Sequence, residues 1–211
     1  MSVSTGLSSS FGEKRIEMRK RLANLTSNIL NPFFVSLIII FLLSFASAHG
    51  ILDALKWSLI SMALSVLPVF LVIVYLVRND RIDAVFTNVR KQRTKIYLLS
   101  GICAIVSLIT LSYLKAPSTL VAGFITAFSI AFVFMCINLW WKISLHTAFI
   151  AASATVLIIL YGWIAAVTVA LVPLTAWARI ELKCHSLAQA ATGALVATLI
   201  VVVVFYPFVQ A

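Results

Sequence analysis

Two of the chain's three histidines stand at the openings of long apolar runs, each with a polar partner close by in sequence. One is in Ser144-Leu145-His146; the other, His185, follows Arg179 after five residues. A histidine can attack phosphorus or protonate a leaving oxygen, and a guanidinium can hold two phosphate oxygens in one planar fork. Two histidines, an arginine and a hydroxyl are therefore a set suited to phosphoryl transfer, provided that the fold brings them to one phosphate. A third segment adds cations: Arg78, Arg81, Arg90, Lys91, Arg93 and Lys95, with the carboxylates Asp80 and Asp83 between them.

The elements that must position these residues are membrane helices. Of 211 residues, 63% are hydrophobic and only 10% are charged, a balance that points to lipid rather than to a soluble domain. Seven apolar runs, at 32–48, 55–77, 96–114, 120–140, 145–161, 163–177 and 187–208, approach or exceed what a hydrocarbon core of about 30 Å demands. None breaks into alternating ten-residue segments, so the expected fold is all-α: a polytopic transmembrane helix bundle of six to seven spans. Gly162 alone separates the fifth run from the short sixth, which requires a tight hairpin there.

Residues 1–30 form a separate N-terminal segment, and 31–211 the membrane domain. Residues 1–12 are rich in Ser and Gly and are expected to lack order. Farther on, Met18, Leu22, Leu25 and Ile29 recur at helical spacing among Lys and Arg, which describes a basic helix on the inner leaflet or a plain topogenic signal. Ala46-Ser47-Ala48 has the form of a signal-peptidase site, but the apolar run before it is wide enough to remain as an anchor.

If the seven runs alternate in direction, all of the sixteen Lys and Arg except Lys56 and Lys115 fall on the side of the N-terminus. The positive-inside rule then places the N-terminus and both histidine motifs in the cytoplasm and the C-terminus outside. The net charge of +10 is accounted for by topology, so no nucleic-acid partner is implied. Trp140, Trp141 and Trp177 fit an inner aromatic belt; Trp57, Tyr113, Tyr161, Trp163 and Tyr206 fit an outer one. Cys103, Cys136 and Cys184 have no spacing suited to a disulfide framework or a structural zinc.

In this order, and on one face, the three polar segments resemble the motifs of the type-2 phosphatidic acid phosphatase superfamily: Lys-x6-Arg-Pro, Pro-Ser-Gly-His and Ser-Arg-x5-His-x3-Asp. The third stands here as Ala178-Arg179-x5-His185-x3-Gln189 and the second as Ile143-Ser144-Leu145-His146. The first is degenerate: Arg90 would place Asp83 at the lysine position, Arg93 would place Phe86 there, and neither phasing restores the proline. Over roughly residues 80–205, the resemblance implies His185 as nucleophile and His146 as the acid for the leaving oxygen. It implies Arg179, with Arg90 or Arg93, as the phosphate clamp and Ser144 as a hydrogen-bond donor, with no metal and no cofactor. The substrate implied is a phosphate or diphosphate of an amphiphilic lipid, such as a prenyl diphosphate or a phosphatidate-like lipid. Gln189, where the family has an orienting aspartate, can accept a hydrogen bond but cannot stabilise an imidazolium, which predicts a slower or specialised enzyme.

Two other classes compete. Asn79-Asp80-x-x-Asp83, with Arg90 and Arg93 after it, is similar to the first aspartate-rich motif of Mg-dependent intramembrane prenyltransferases; with six acidic residues in all, the chain has no second such cluster. The loss of the motif lysine and aspartate fits instead a non-catalytic membrane protein that binds lipid phosphate on a degenerate phosphatase fold. Histidine and arginine at membrane boundaries can also be mere helix anchors.

Overall fold

The computed structural model describes residues 4–87 and 89–210, and within the first helix the side chains from Glu13 onward; Met1 to Val3 lie outside the described residues. The described residues form helices joined by short turns, with no strand among them. In chain order the helices are α1 (Ser4–Ile29), α2 (Pro32–Ser47), α3 (Ile51–Leu64), α4 (Val66–Arg78), α5 (Arg90–Tyr113), α6 (Ser118–Asn138), α7 (Leu145–Tyr161), α8 (Leu171–Glu181), α9 (Leu187–Ile200) and α10 (Tyr206–Gln210). Helix α1 begins inside the Ser- and Gly-rich stretch expected to lack order.

By length and apolarity, five helical runs can cross a bilayer, at Ile51–Arg78, Arg90–Tyr113, Ser118–Asn138, Leu145–Glu181 and Leu187–Gln210, and α1 with α2, meeting at a 40° bend, supplies up to a sixth. Seven separate runs are expected from the sequence, and the grouping differs for two reasons. Helix α2 has only 16 residues, about 24 Å of rise, which is short of the hydrocarbon core. The other reason is that the 3-10 turns Gly162–Ala170 leave no gap between α7 and α8. A straight helix over Leu145–Glu181 would be about 55 Å long. Yet α7 and α8 pack side by side, so the chain reverses at Gly162, as the hairpin expectation requires. Gly162 has φ 69° and ψ −153°, a conformation that a β-carbon makes costly.

Local chemistry sets the other breaks. Asn31 caps α2 by accepting from the Phe34 N–H at 2.9 Å, and Pro32 occupies the first helical position, where no donor is needed. Between α3 and α4 the break falls at Ser65, three residues before Pro68, whose ring collides with the carbonyl one turn earlier. Helices α4, α5 and α8 all end in Schellman motifs whose left-handed residue is not glycine: Asp80 (φ 53°), Lys115 (φ 56°) and Lys183 (φ 54°).

Packing around the site relies on small residues. A β-carbon on Gly193 would come within 2.7 Å of the Ser144 carbonyl, so α9 approaches α7 more closely than any side chain would allow. Close packing is expected from the small residues at 188, 191, 192 and 193; the buried face is instead Ala190, Gly193 and Ala197, while Ala188 and Ala191 are exposed. The spacing of that face follows the helix period rather than the sequence run. Trp57, expected in the outer belt, is buried in the core; because α3 starts at Ile51, its ring faces inward with Lys56 Nζ 4.5 Å from its centroid. Trp140, Trp163 and Tyr113 are exposed, as belt residues should be.

Candidate phosphate site at the helix ends

Five helix ends meet at one place: the last turns of α1 and α8 and the first turns of α5, α7 and α9. The spacing of Arg179 and His185 follows from how α8 stops. Cys184 N–H donates to the Arg179 carbonyl at 3.0 Å and Lys183 N–H to the Ile180 carbonyl at 2.9 Å, the two bonds of a Schellman motif. His185 follows at once, and Ser186 caps α9. Ser186 Oγ accepts from Gln189 N–H at 3.3 Å, and Gln189 Oε1 accepts from Ser186 N–H at 3.1 Å, a reciprocal capping box. Five intervening residues are thus what one helix stop and one helix start require.

Hydrogen bonds assign the tautomer of His185. Its Nε2 lies 3.4 Å from a terminal nitrogen of Arg93, and an arginine only donates, so Nε2 is an acceptor carrying a lone pair. Its Nδ1 lies 3.3 Å from Gln189 Oε1, the same oxygen that accepts from Ser186 N–H, so Nδ1 carries the proton and donates it to Gln189. The amide therefore orients the ring as an aspartate would, without the negative charge. Burial pushes the His185 pKa down to about 3, and Arg93, Lys142 and Arg179 push the same way. The imidazole is neutral throughout the physiological range, with its basic nitrogen facing a guanidinium.

Arg93 is the centre of the cluster. It is 6% exposed, its Nε donates to the Thr87 carbonyl at 3.0 Å and one terminal nitrogen to the Ile143 carbonyl at 2.9 Å. Arg90, the other candidate for the first motif, is exposed and donates to the Trp140 carbonyl at 3.0 Å, on a different face of α5. Of the two phasings, only the one with Arg93 meets His185. Phe86, seven residues before Arg93, stands against the ring of His146, with centroids 4.8 Å apart, so no cation can occupy that place.

Arg179 is 5% exposed; one terminal nitrogen donates to Ser27 Oγ at 2.8 Å, and its Nε has no partner. His146 is buried at the first turn of α7, faces Arg179, His185 and Arg93, and its Nε2 has no partner. Ser144 is fully buried; its N–H donates to the Gln189 carbonyl at 3.2 Å, and its Oγ has no partner. The structure thus brings together His185, Gln189, Arg93, Arg179 and His146, with Ser144 on the Gln189 backbone, and leaves Arg90 out.

Sequence reasoning passed over Lys142. Its Nζ donates to the Cys184 carbonyl at 2.8 Å, next to His185, and burial together with Arg93 and Arg179 pushes its pKa down. Lys142 adds a lysine to the cluster from the segment that carries Ser144 and His146; its place two residues before Ser144 was the available signal. The Ser186-x-x-Gln189 pattern ahead of an apolar run was equally legible as a capping box. Asp80 and Asp83 are exposed, Asp80 in the turn that ends α4. Among the described residues, no three of His, Cys, Asp and Glu gather in metal-binding geometry.

Comparison of the chain with protein-family models, with curated proteins and with solved structures finds no match.

Proposed function

We propose that the protein is a membrane-embedded phosphatase, similar in mechanism to the type-2 phosphatidic acid phosphatases. It hydrolyses a phosphate or diphosphate of an amphiphilic lipid at the cytoplasmic face. The observation that carries this reading is the neutral His185, held with Nδ1–H on Gln189 and its Nε2 lone pair toward Arg93, inside a cluster of three cations. A phosphate entering that cluster exchanges repulsion among Arg93, Arg179 and Lys142 for attraction to its oxygens.

The Nε2 lone pair of His185 forms a bond to phosphorus as the bond to the leaving oxygen breaks. That oxygen, of an alcohol or of a phosphate, takes a proton from His146, which becomes an imidazolium once the bound phosphate offsets the surrounding cations, and a phosphohistidine remains. Water then adds to phosphorus, giving its proton to His146 and releasing His185 with inorganic phosphate. The chain needs no metal for either step, because charge stabilisation comes from the guanidinium and ammonium groups.

The test is phosphate release by detergent-purified protein in EDTA, from prenyl diphosphates and phosphatidate, with His185→Ala as control. Release that disappears in the variant supports the phosphatase. If no substrate is turned over while phosphorylated lipids still bind, the protein is a non-catalytic lipid-phosphate binder instead.

A further inference from the structure

Behind the cation cluster lies a half-open pocket of about 270 Å³, lined chiefly by α2, α4, α5, α6 and α7. Its mouth carries Thr87, Arg93, His146 and Arg179; beyond them the walls are almost wholly apolar. On α7 the lining runs from His146 to Val156, and on α5 from Arg93 to Ala104, about 15 to 17 Å along the helix axes. An apolar pocket with a charged mouth suits an amphiphile whose head is anionic.

Away from the cations, two of the lining residues come into close contact. Gly123 on α6 lies under Leu43 of α2, and a β-carbon at Gly123 would come within 2.9 Å of Leu43 Cδ1. Leu43 is only 5% exposed, and Val156 and Val201 complete the floor. A chain of about the same length, some three isoprene units or a dozen carbons, spans the distance from the mouth to this floor. A volume of about 270 Å³ is of the order of one such chain, not two.

We propose that this cavity takes the single hydrocarbon chain of the substrate and that Leu43 on Gly123 sets the longest chain accepted. The inference rests on the phosphatase reading for the head group and adds to it the tail: a single-chain alkyl or prenyl phosphate or diphosphate, not a diacyl lipid. The cations hold the head group at the helix ends, and the chain points into the bundle rather than into the bilayer.

The experiment measures binding apart from turnover. n-Alkyl phosphates from butyl to octadecyl are titrated in EDTA against detergent-purified His185→Ala protein, alongside phosphatidate, and the chain-length profile is repeated for Leu43→Ala and Ala152→Phe in that background. Ala152 lines the cavity about 9 Å from His146 along α7, so the phenyl ring closes it midway. The expected result is an optimum near a dozen carbons, with affinity falling about tenfold or more for chains that overrun the floor. Leu43→Ala should move that optimum to longer chains and Ala152→Phe to shorter ones. The opposite directions keep the test valid if one variant fails to fold. A profile without an optimum, one that neither variant moves, or phosphatidate binding as well as the best single chain overturns the proposal. Phosphate release by the unsubstituted protein is scored separately, so hydrolysis without chain-length selection leaves the phosphatase standing, and selection without hydrolysis leaves the cavity standing.

Discussion

At the scale of single residues, Arg90 and Arg93 separate cleanly. Arg93 bonds two carbonyls and faces His185, whereas Arg90 is exposed on a neighbouring face. In the proposed reaction Arg93→Ala should lower kcat/KM by about 10²- to 10³-fold, the usual cost of losing one preorganised charge-stabilising donor, while Arg90→Ala stays within about twofold. Steady-state phosphate release by both variants measures the difference; equal losses would break the assignment. Lys142→Met should lower kcat/KM by about 10- to 100-fold and Lys142→Arg should restore most of it, since either cation can sit beside the Cys184 carbonyl. Gln189→Leu removes the acceptor for Nδ1–H and frees the ring to take the wrong tautomer, for which a loss of up to about 10⁴ has a precedent in the Ser-His-Asp triad. Gln189→Glu keeps the acceptor and adds a charge that raises the His185 pKa, so its activity should persist with an acid limb at higher pH.

At the scale of the element, the turn between α8 and α9 is the part on which the site depends most. It holds Arg179 and His185 in register through a left-handed Lys183, a conformation that costs an ordinary side chain roughly 1 kcal/mol. Lys183→Gly should therefore raise stability by about 0.5 to 1 kcal/mol and leave activity unchanged, and Lys183→Val should lower both, read as melting temperature and phosphate release in the same detergent. The first turn of α5 shows the opposite compromise. Arg90, Lys91, Arg93 and Lys95 crowd a helix N-terminus, where the macrodipole disfavours cations. The bonds of Arg93 to Thr87 and Ile143, and of Asn138 Nδ2 to the Arg90 carbonyl at 3.2 Å, offset that cost. Periodicity marks the end of the apolar run at residue 96, but tertiary hydrogen bonding carries the helix back to Arg90.

At the scale of the whole molecule, keeping a neutral histidine among three cations makes stability depend on pH. An unfolded His185 takes up a proton below about 6.5, whereas in the folded protein it stays neutral down to about 3. The unfolded state binds more protons in that window, so stability is fully present above 6.5 and is lost as pH falls, by at most about 1.4 kcal/mol per unit from this group. Melting curves of the protein and of His185→Gln between pH 7 and about 4 should diverge, with the variant flatter. Coincident curves would show that His185 is not buried beside those charges. The ion pair Arg19–Glu181, at 2.7 Å, and the Arg179–Ser27 bond tie α1 to the end of α8. On its other side α1 exposes Met18, Leu22, Leu25 and Ile29, the stripe that its periodicity shows.

The sequence by itself determined the helical membrane class, the Gly162 reversal, and the two histidine segments, because apolar run length, glycine and a six-residue interval are local properties. Gln189 as the partner of His185 was legible for the same reason, since residues four apart on a helix face each other. Only the tertiary structure chose Arg93 over Arg90, because three residues on a helix turn a side chain by about 300° and nothing local says which face meets α9. Only it brought in Lys142 and Ser27, whose partners lie 42 and 152 residues away. The cavity floor was equally out of reach of pattern reading, since Leu43 and Gly123 meet through packing of helices distant in the chain.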